Sequence, residues 1–231
     1  MAGNSARPKS RKPTLSATPF ANARAAVGTI SSGCRVVGLT KGQFSLLDLI
    51  AAVLEQVGSA EVMVSTWTPG KAEMECVANL LDAHKITRFR LLVDRSFVTR
   101  HPEYVARIHS ILGAEAIRQT RTHAKFALIA AGDYRIAIRT SMNFNRNPRF
   151  EQFDLDDDAM IYDFFDAAVN ELYDGVPVGL DADRSEIESG FNYSSLGTLF
   201  RLMDEAVLVE SEKPGRANEL LAHLATRFSK Q

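Results

Sequence analysis

Between Thr122 and Asn145 the chain reads THAKFALIAAGDYRIAIRTSMNFN, and two pairs of side chains in it are suited to chemistry. His123 and Lys125 are separated by one residue, and so are Ser141 and Asn143. Successive side chains of a strand alternate between faces, so residues two apart share a side. His123 and Lys125 therefore project together at the start of one β run. Ser141 and Asn143 share a side if the extended conformation persists past the end of the next run. A hairpin between the two runs brings those ends together. One small volume then holds an imidazole, an ammonium, an amide and a hydroxyl. Each can donate to a phosphate oxygen, and the imidazole can also attack phosphorus.

The elements that must hold these groups follow from periodicity. Residues 34–39 (CRVVGL) predict a strand, and 44–57 place Phe44, Leu47, Ile50, Ala51, Leu54 and Val57 at helical spacing. Residues 61–67 predict a second strand, ended by the turn signal Thr68-Pro69-Gly70. Residues 71–84 predict a helix, 88–93 a third strand, and 102–112 a helix closed by Gly113. Two β runs, 125–130 and 134–139, are joined through Ala131-Gly132-Asp133, a hairpin connection. Residues 159–162 predict a short strand, 163–173 a helix, and 193–208 and 216–228 two more helices. The fold class expected is α/β: a mixed, mostly parallel sheet flanked by helices, with a helical acidic extension at the C-terminal end. The expected organisation is a flexible basic arm over 1–30, a catalytic domain over 31–175 and the extension over 176–231.

His123-x-Lys125 followed by two β runs and Ser141-x-Asn143 resembles the single-motif members of the phospholipase D superfamily, the bacterial nuclease branch in particular. Their signature is His-x-Lys, four residues, Asp, then about six residues to Gly-Ser-x-Asn. Two positions depart from it: Ala130 stands where the Asp falls, with Asp133 three residues later, and Thr140 stands where Gly is usual. The amphipathic helix and strand over 71–95 look like the elements ahead of the family's motif. Glu151, in FEQFD, resembles the acidic residue that orients the nucleophilic histidine. The resemblance covers roughly residues 34–175.

That resemblance implies a homodimer, because the family uses two His-x-Lys motifs per site and this chain has one. One His123 would form a phosphohistidine while the other protonates the leaving oxygen and then activates water. Lys125 and Asn143 would hold the non-bridging oxygens, Ser141 would support them, and Glu151 would fix the imidazole tautomer. No metal and no other cofactor are implied.

Charge bears on the substrate. Of 231 residues, 27 are Lys or Arg and 28 Asp or Glu, a net of -1. The charges are unevenly placed: residues 85–149 carry a local net of +9, and 150–231 a net of -12. A basic middle segment and a basic arm suit a polyanion, with DNA favoured over a lipid headgroup. Charges of both signs also simply solvate and pair across an ordinary surface. Nothing approaches the roughly 18 consecutive apolar residues of a spanning helix. Two cysteines, Cys34 and Cys76, make no disulfide framework. The N-terminal segment lacks a secretory apolar core, so the expected setting is cytoplasmic, with no membrane partner. Two other functions stay open: a DNA-binding protein on this scaffold with weak or no chemistry, motivated by Ala130 and Thr140, and a lipid phosphodiesterase.

Most other polar candidates have plainer readings. His84, His101, His109 and His223 lack recognisable partners and read as structural or exposed. Trp67 and Phe144 could stack on a base, although an aromatic at a strand end is more often core. Asp154, Asp156, Asp157 and Asp158 read as a solvated loop rather than a metal site.

Overall fold

The computed structural model describes residues 14–16, 22–146 and 148–187. Eight strands are described: β1 (Thr14–Ser16), β2 (Arg35–Thr40), β3 (Ala60–Thr66), β4 (Ile86–Asp94), β5 (Ile117–Thr120), β6 (Phe126–Ala131), β7 (Tyr134–Thr140) and β8 (Glu151–Asp157). The helices are α1 (Ala23–Val27), α2 (Leu46–Val57), α3 (Lys71–Asp82), α4 (Ser96–Arg100), α5 (Pro102–Leu112) and α6 (Ala159–Gly175), with a 3-10 turn at Ala114–Ala116.

The strands form one sheet in the order β1-β2-β8-β7-β6-β3-β4-β5. β3, β4 and β5 are parallel neighbours, as are β1 and β2, while β6, β7 and β8 pair antiparallel with their neighbours. Only β6 and β8 consequently oppose the common strand direction. The α/β class with a mixed sheet and flanking helices is as expected.

The hairpin is tight. Ala131 pairs with Tyr134 across Gly132-Asp133, and Gly132 has φ 52°. Glycine at the first of two turn positions suits a type II′ turn, whose twist matches that of the flanking strands.

Helices cover both faces. α2 is started by a Ser45/Asp48 capping box and buries Leu46, Leu49, Ile50 and Val53 on one face. Met74 of α3 and Ile108 of α5 join the same core. α6 lies on the other face, burying Val169 and Leu172 against Met63, Leu92, Phe126, Leu128 and Ala137. Its N-cap Asp158 accepts from the backbone N–H groups of Met160 and Ile161.

Several local expectations are corrected. Residues 159–162 open α6 instead of forming a strand, because Asp158 caps the helix there. The acidic run read as a solvated loop is largely β8: Phe153 and Leu155 face the core while Asp156 is 4% exposed and paired with Arg35 and Arg139. Within residues 1–30, Ala23, Ala26 and Val27 of α1 are buried beside α2. β1, β5 and α4 were not anticipated. The helices expected over 193–208 and 216–228 lie outside the described residues. Among the described residues, no helix is long and apolar enough to cross a membrane.

Candidate functional site

The strand ends gather the chemistry. β3, β4, β5 and β7 all finish on one edge of the sheet, where β6 and β8 begin. In open α/β sheets, ligands bind outside such carboxyl ends. His123 lies between the end of β5 and the start of β6, and Lys125 immediately precedes β6. The strand thus begins one residue later than the sequence pattern predicts. The Lys125 carbonyl still accepts from the Thr140 N–H at 3.0 Å, which carries the hairpin pairing down to the site.

Lys125 and His123 meet directly. Lys125 Nζ is 3.0 Å from Nδ1 and 3.2 Å from Nε2 of His123, and donates to the His123 carbonyl at 2.9 Å. The two near-equal distances place the ammonium against the ring as a whole and not in line with one nitrogen. Lys125 is 8% exposed. Burial pushes its pKa down, and the negative charge of Glu151 opposes that shift. His123 remains exposed.

The backbone leading to His123 is anchored from β4. Asp94 Oδ2 accepts from the Thr122 N–H at 3.2 Å, and Asp94 Oδ1 accepts from the N–H and hydroxyl of Ser96. Ser96 Oγ in turn accepts from Arg100 Nε at 3.2 Å. The Arg100 guanidinium lies 3.8 Å from the centre of the Trp67 ring, and that ring lies 5.9 Å from the His123 ring. Ser65 Oγ, on β3, donates to the Ala124 carbonyl at 2.9 Å. Neither Asp94 nor Arg100 was singled out in the sequence. The one local signal was a carboxylate ending a β run with a serine two residues on, a common turn-forming arrangement.

Ser141, Asn143 and Glu151 occupy the neighbouring loop and strand. Ser141 Oγ donates to Glu151 Oε2 and accepts from the Gln152 N–H at 3.0 Å. Glu151 is thus engaged by Ser141 and acts on Lys125 through charge, whereas its expected contact was with the His123 ring. The partner of that ring is Lys125. The Asn143 Oδ1 atom is buried with no hydrogen-bond partner among the described residues. A buried amide oxygen without a donor is costly, and it marks a place where an incoming N–H or O–H would be favoured. The loop is held to β3 by the Phe144 N–H, which donates to Thr66 Oγ1 at 3.1 Å.

Both departures from the motif have local explanations. Thr140 is buried; its hydroxyl donates to the Gln152 carbonyl at 2.6 Å and accepts from the Met142 N–H at 3.0 Å. Its side chain therefore shapes the turn into Ser141-x-Asn143. Ala130 pairs with Arg135 and Glu61 near the far end of β6. Five residues of strand, about 17 Å, separate it from Lys125. A carboxylate at 130 would therefore lie far from a phosphate at His123.

Of the aromatics, Trp67 lies at the site beside His123, and Phe144 is fully buried core. His109 Nε2 accepts from the Leu180 N–H at 3.1 Å, a structural role. His101 stacks on Tyr104, with ring centres 5.5 Å apart. His223 lies outside the described residues. Among the described residues, no group of three or more His, Cys, Asp or Glu side chains is placed to hold a metal ion.

Comparison with known proteins adds the following. No protein-family model matches the chain, and no curated protein does. Solved structures do. NucT from Helicobacter pylori is similar over 59% of this chain and 94% of its own, at 12% identity and a TM-score of 0.43. Nuc from Salmonella typhimurium, a phospholipase D family member, is similar over 60% of this chain and 93% of its own, at 12% identity and a TM-score of 0.41. Phosphatidylserine synthase from Haemophilus influenzae is similar over 78% of this chain and 47% of its own, at 15% identity and a TM-score of 0.39.

Proposed function

We propose that this chain is a metal-independent phosphodiesterase that cleaves DNA through a phosphohistidine, at a site completed by a second copy of itself. One observation carries the reading: an exposed imidazole at the carboxyl ends of the strands, with a buried lysine ammonium 3.0 Å from its ring nitrogen. That pair combines a nucleophile with a fixed cation for the phosphate oxygens.

In the first step a lone pair of one His123 ring nitrogen attacks phosphorus. The N–P bond forms as the bond to the leaving oxygen breaks, and the second copy's His123 gives that oxygen a proton. In the second step the same His123 of the second copy takes a proton from water. The resulting hydroxide attacks phosphorus, and the N–P bond breaks to return a free imidazole. Lys125 offers N–H donors to the non-bridging oxygens, and the Asn143 amide donates beside it. Both stabilise the negative charge that builds on the five-coordinate transition state. Ser141 and Glu151 act as positioning residues, the carboxylate favouring the charged form of Lys125.

DNA is favoured by the +9 net charge of residues 85–149, the segment that contains His123 and Lys125. The test is cleavage of a labelled DNA in excess chelator by the full chain. Cleavage is expected in wild type and a loss of about 10²–10⁴-fold in His123→Ala. A purified dimer that hydrolyses no phosphodiester would refute the proposal. Headgroup release from vesicles with DNA left intact would replace DNA by a lipid substrate.

A further inference from the structure

A cleft of about 390 Å³ opens between the sheet and α6, and His123 forms part of its wall. Its other lining includes Thr120, Arg121, Phe126, Phe164 and Phe165. This size is within the range of small-molecule sites. The three phenyl rings form one aromatic group: Phe126 and Phe165 are 4.9 Å apart, and Phe164 meets Phe165 edge-on at 5.4 Å. Phe164 is 70% exposed, so its ring is open to a ligand from solvent.

Two features decide what kind of group this cleft fits. A flat π-system gains from stacking against phenyl faces and edges. Thr120 is 1% exposed, and its Oγ1 has no hydrogen-bond partner among the described residues. A buried hydroxyl is costly without a partner, and an alkyl chain supplies none. A nucleobase supplies both, since it has a flat apolar face and polar atoms around its edge. Arg121, beside Thr120 on the lining, adds a cation where the adjoining phosphates of a strand would run.

We infer that this cleft receives one unpaired base of a single-stranded nucleic acid, next to the phosphodiester engaged by His123. The inference rests on the phosphodiesterase reading above and specifies its substrate as a strand whose bases are free to leave the stack. A paired base has its edge occupied and its faces covered, so it cannot enter without unpairing.

The test compares the binding of two labelled strands to the full chain by fluorescence anisotropy. One is a phosphorothioate-linked oligothymidylate, and the other is the same strand with abasic positions. The base-bearing strand is expected to bind about 10-fold tighter. Phe164→Ala should remove that difference and leave abasic binding unchanged, and the exposure of Phe164 means the variant should fold. Phe164→Leu should behave like Phe164→Ala, because it keeps apolar area but loses the ring. Equal binding of the two strands, no binding of either, or full affinity in Phe164→Leu would overturn the inference. So would competition by a short-chain phosphatidyl lipid that depends on Phe164, which would identify an acyl-chain site. Cleavage in chelator is scored separately. Cleavage without base preference removes only the base site, and base preference without cleavage removes only the phosphodiesterase.

Discussion

At the residue scale the site is a balance of charge and solvent. Lys125 is kept from water, which favours its neutral form, while Glu151 favours the ammonium. The ordinary lysine pKa is 10.5, and burial lowers it here. If the ammonium stabilises the transition state, activity falls as pH rises through that lowered value. The alkaline limb of the kcat profile should therefore begin below the range expected of an exposed lysine. Lys125→Met should remove this limb and lower kcat by about 10²–10³-fold, measured on DNA under saturating conditions. Thr140 makes a separate prediction about stability. Thr140→Val takes away the acceptor of the Met142 N–H and one of the two donors to the Gln152 carbonyl, which keeps the Ser141 N–H. Urea denaturation should register a loss of about 1–3 kcal/mol. Thr140→Ser, which keeps the hydroxyl, should recover most of it.

At the scale of elements, α6 forms one wall of the cleft, and its seating on the sheet depends on Tyr173. The Tyr173 hydroxyl lies 2.8 Å from the Ala116 carbonyl and 3.1 Å from the Leu91 carbonyl. Its ring lies beneath Arg118, at 4.7 Å, and Arg90, at 5.5 Å. Burial pushes the phenol pKa well up from its ordinary 10.0, against the lowering effect of the two arginines. The folded state therefore holds this proton more tightly than the unfolded chain does. That contribution to stability is fully present below pH 10 and is lost as pH rises above it. Tyr173→Phe should destabilise the fold by about 0.5–1.5 kcal/mol near neutral pH. It should also flatten the fall in stability above pH 10, a difference readable from thermal unfolding across an alkaline series.

At the scale of the whole molecule, the proposal requires two copies of one histidine at a single phosphorus. Mixing tests this directly. When wild-type and His123→Ala chains are co-refolded, only wild-type pairs keep both imidazoles, so activity should follow the square of the wild-type fraction. An equal mixture should retain about one quarter of full activity per total protein. A linear dependence, with one half retained, would mean that each chain works alone. The charge distribution sets a second whole-molecule expectation. If the basic 85–149 segment holds a nucleic-acid backbone, binding weakens steeply with salt, and a plot of log affinity against log salt gives the number of phosphates engaged.

The hairpin and its four flanking polar residues were legible in the sequence because their geometry is local. Gly132 in a two-residue turn sets the register of β6 and β7, which brings the residues just before β6 beside those just after β7. The helices α2, α3 and α5 were legible for the same reason, since an apolar face at helical spacing is written within a dozen residues. Other features depended on partners distant in the chain. β8 was hidden because Asp154, Asp156 and Asp157 look solvated until Arg35 and Arg139 arrive from β2 and β7 to neutralise Asp156. Asp94 becomes an anchor for the approach to His123 only when β4 and β5 lie side by side. Glu151 meets Ser141 only because β8 returns beside β7. The aromatic cleft likewise exists only where α6 crosses the sheet. Sequence by itself determined the hairpin and the polar side chains that flank it. Tertiary structure alone decided what surrounds them, because burial and the pairing of opposite charges are properties of neighbours that chain order does not specify.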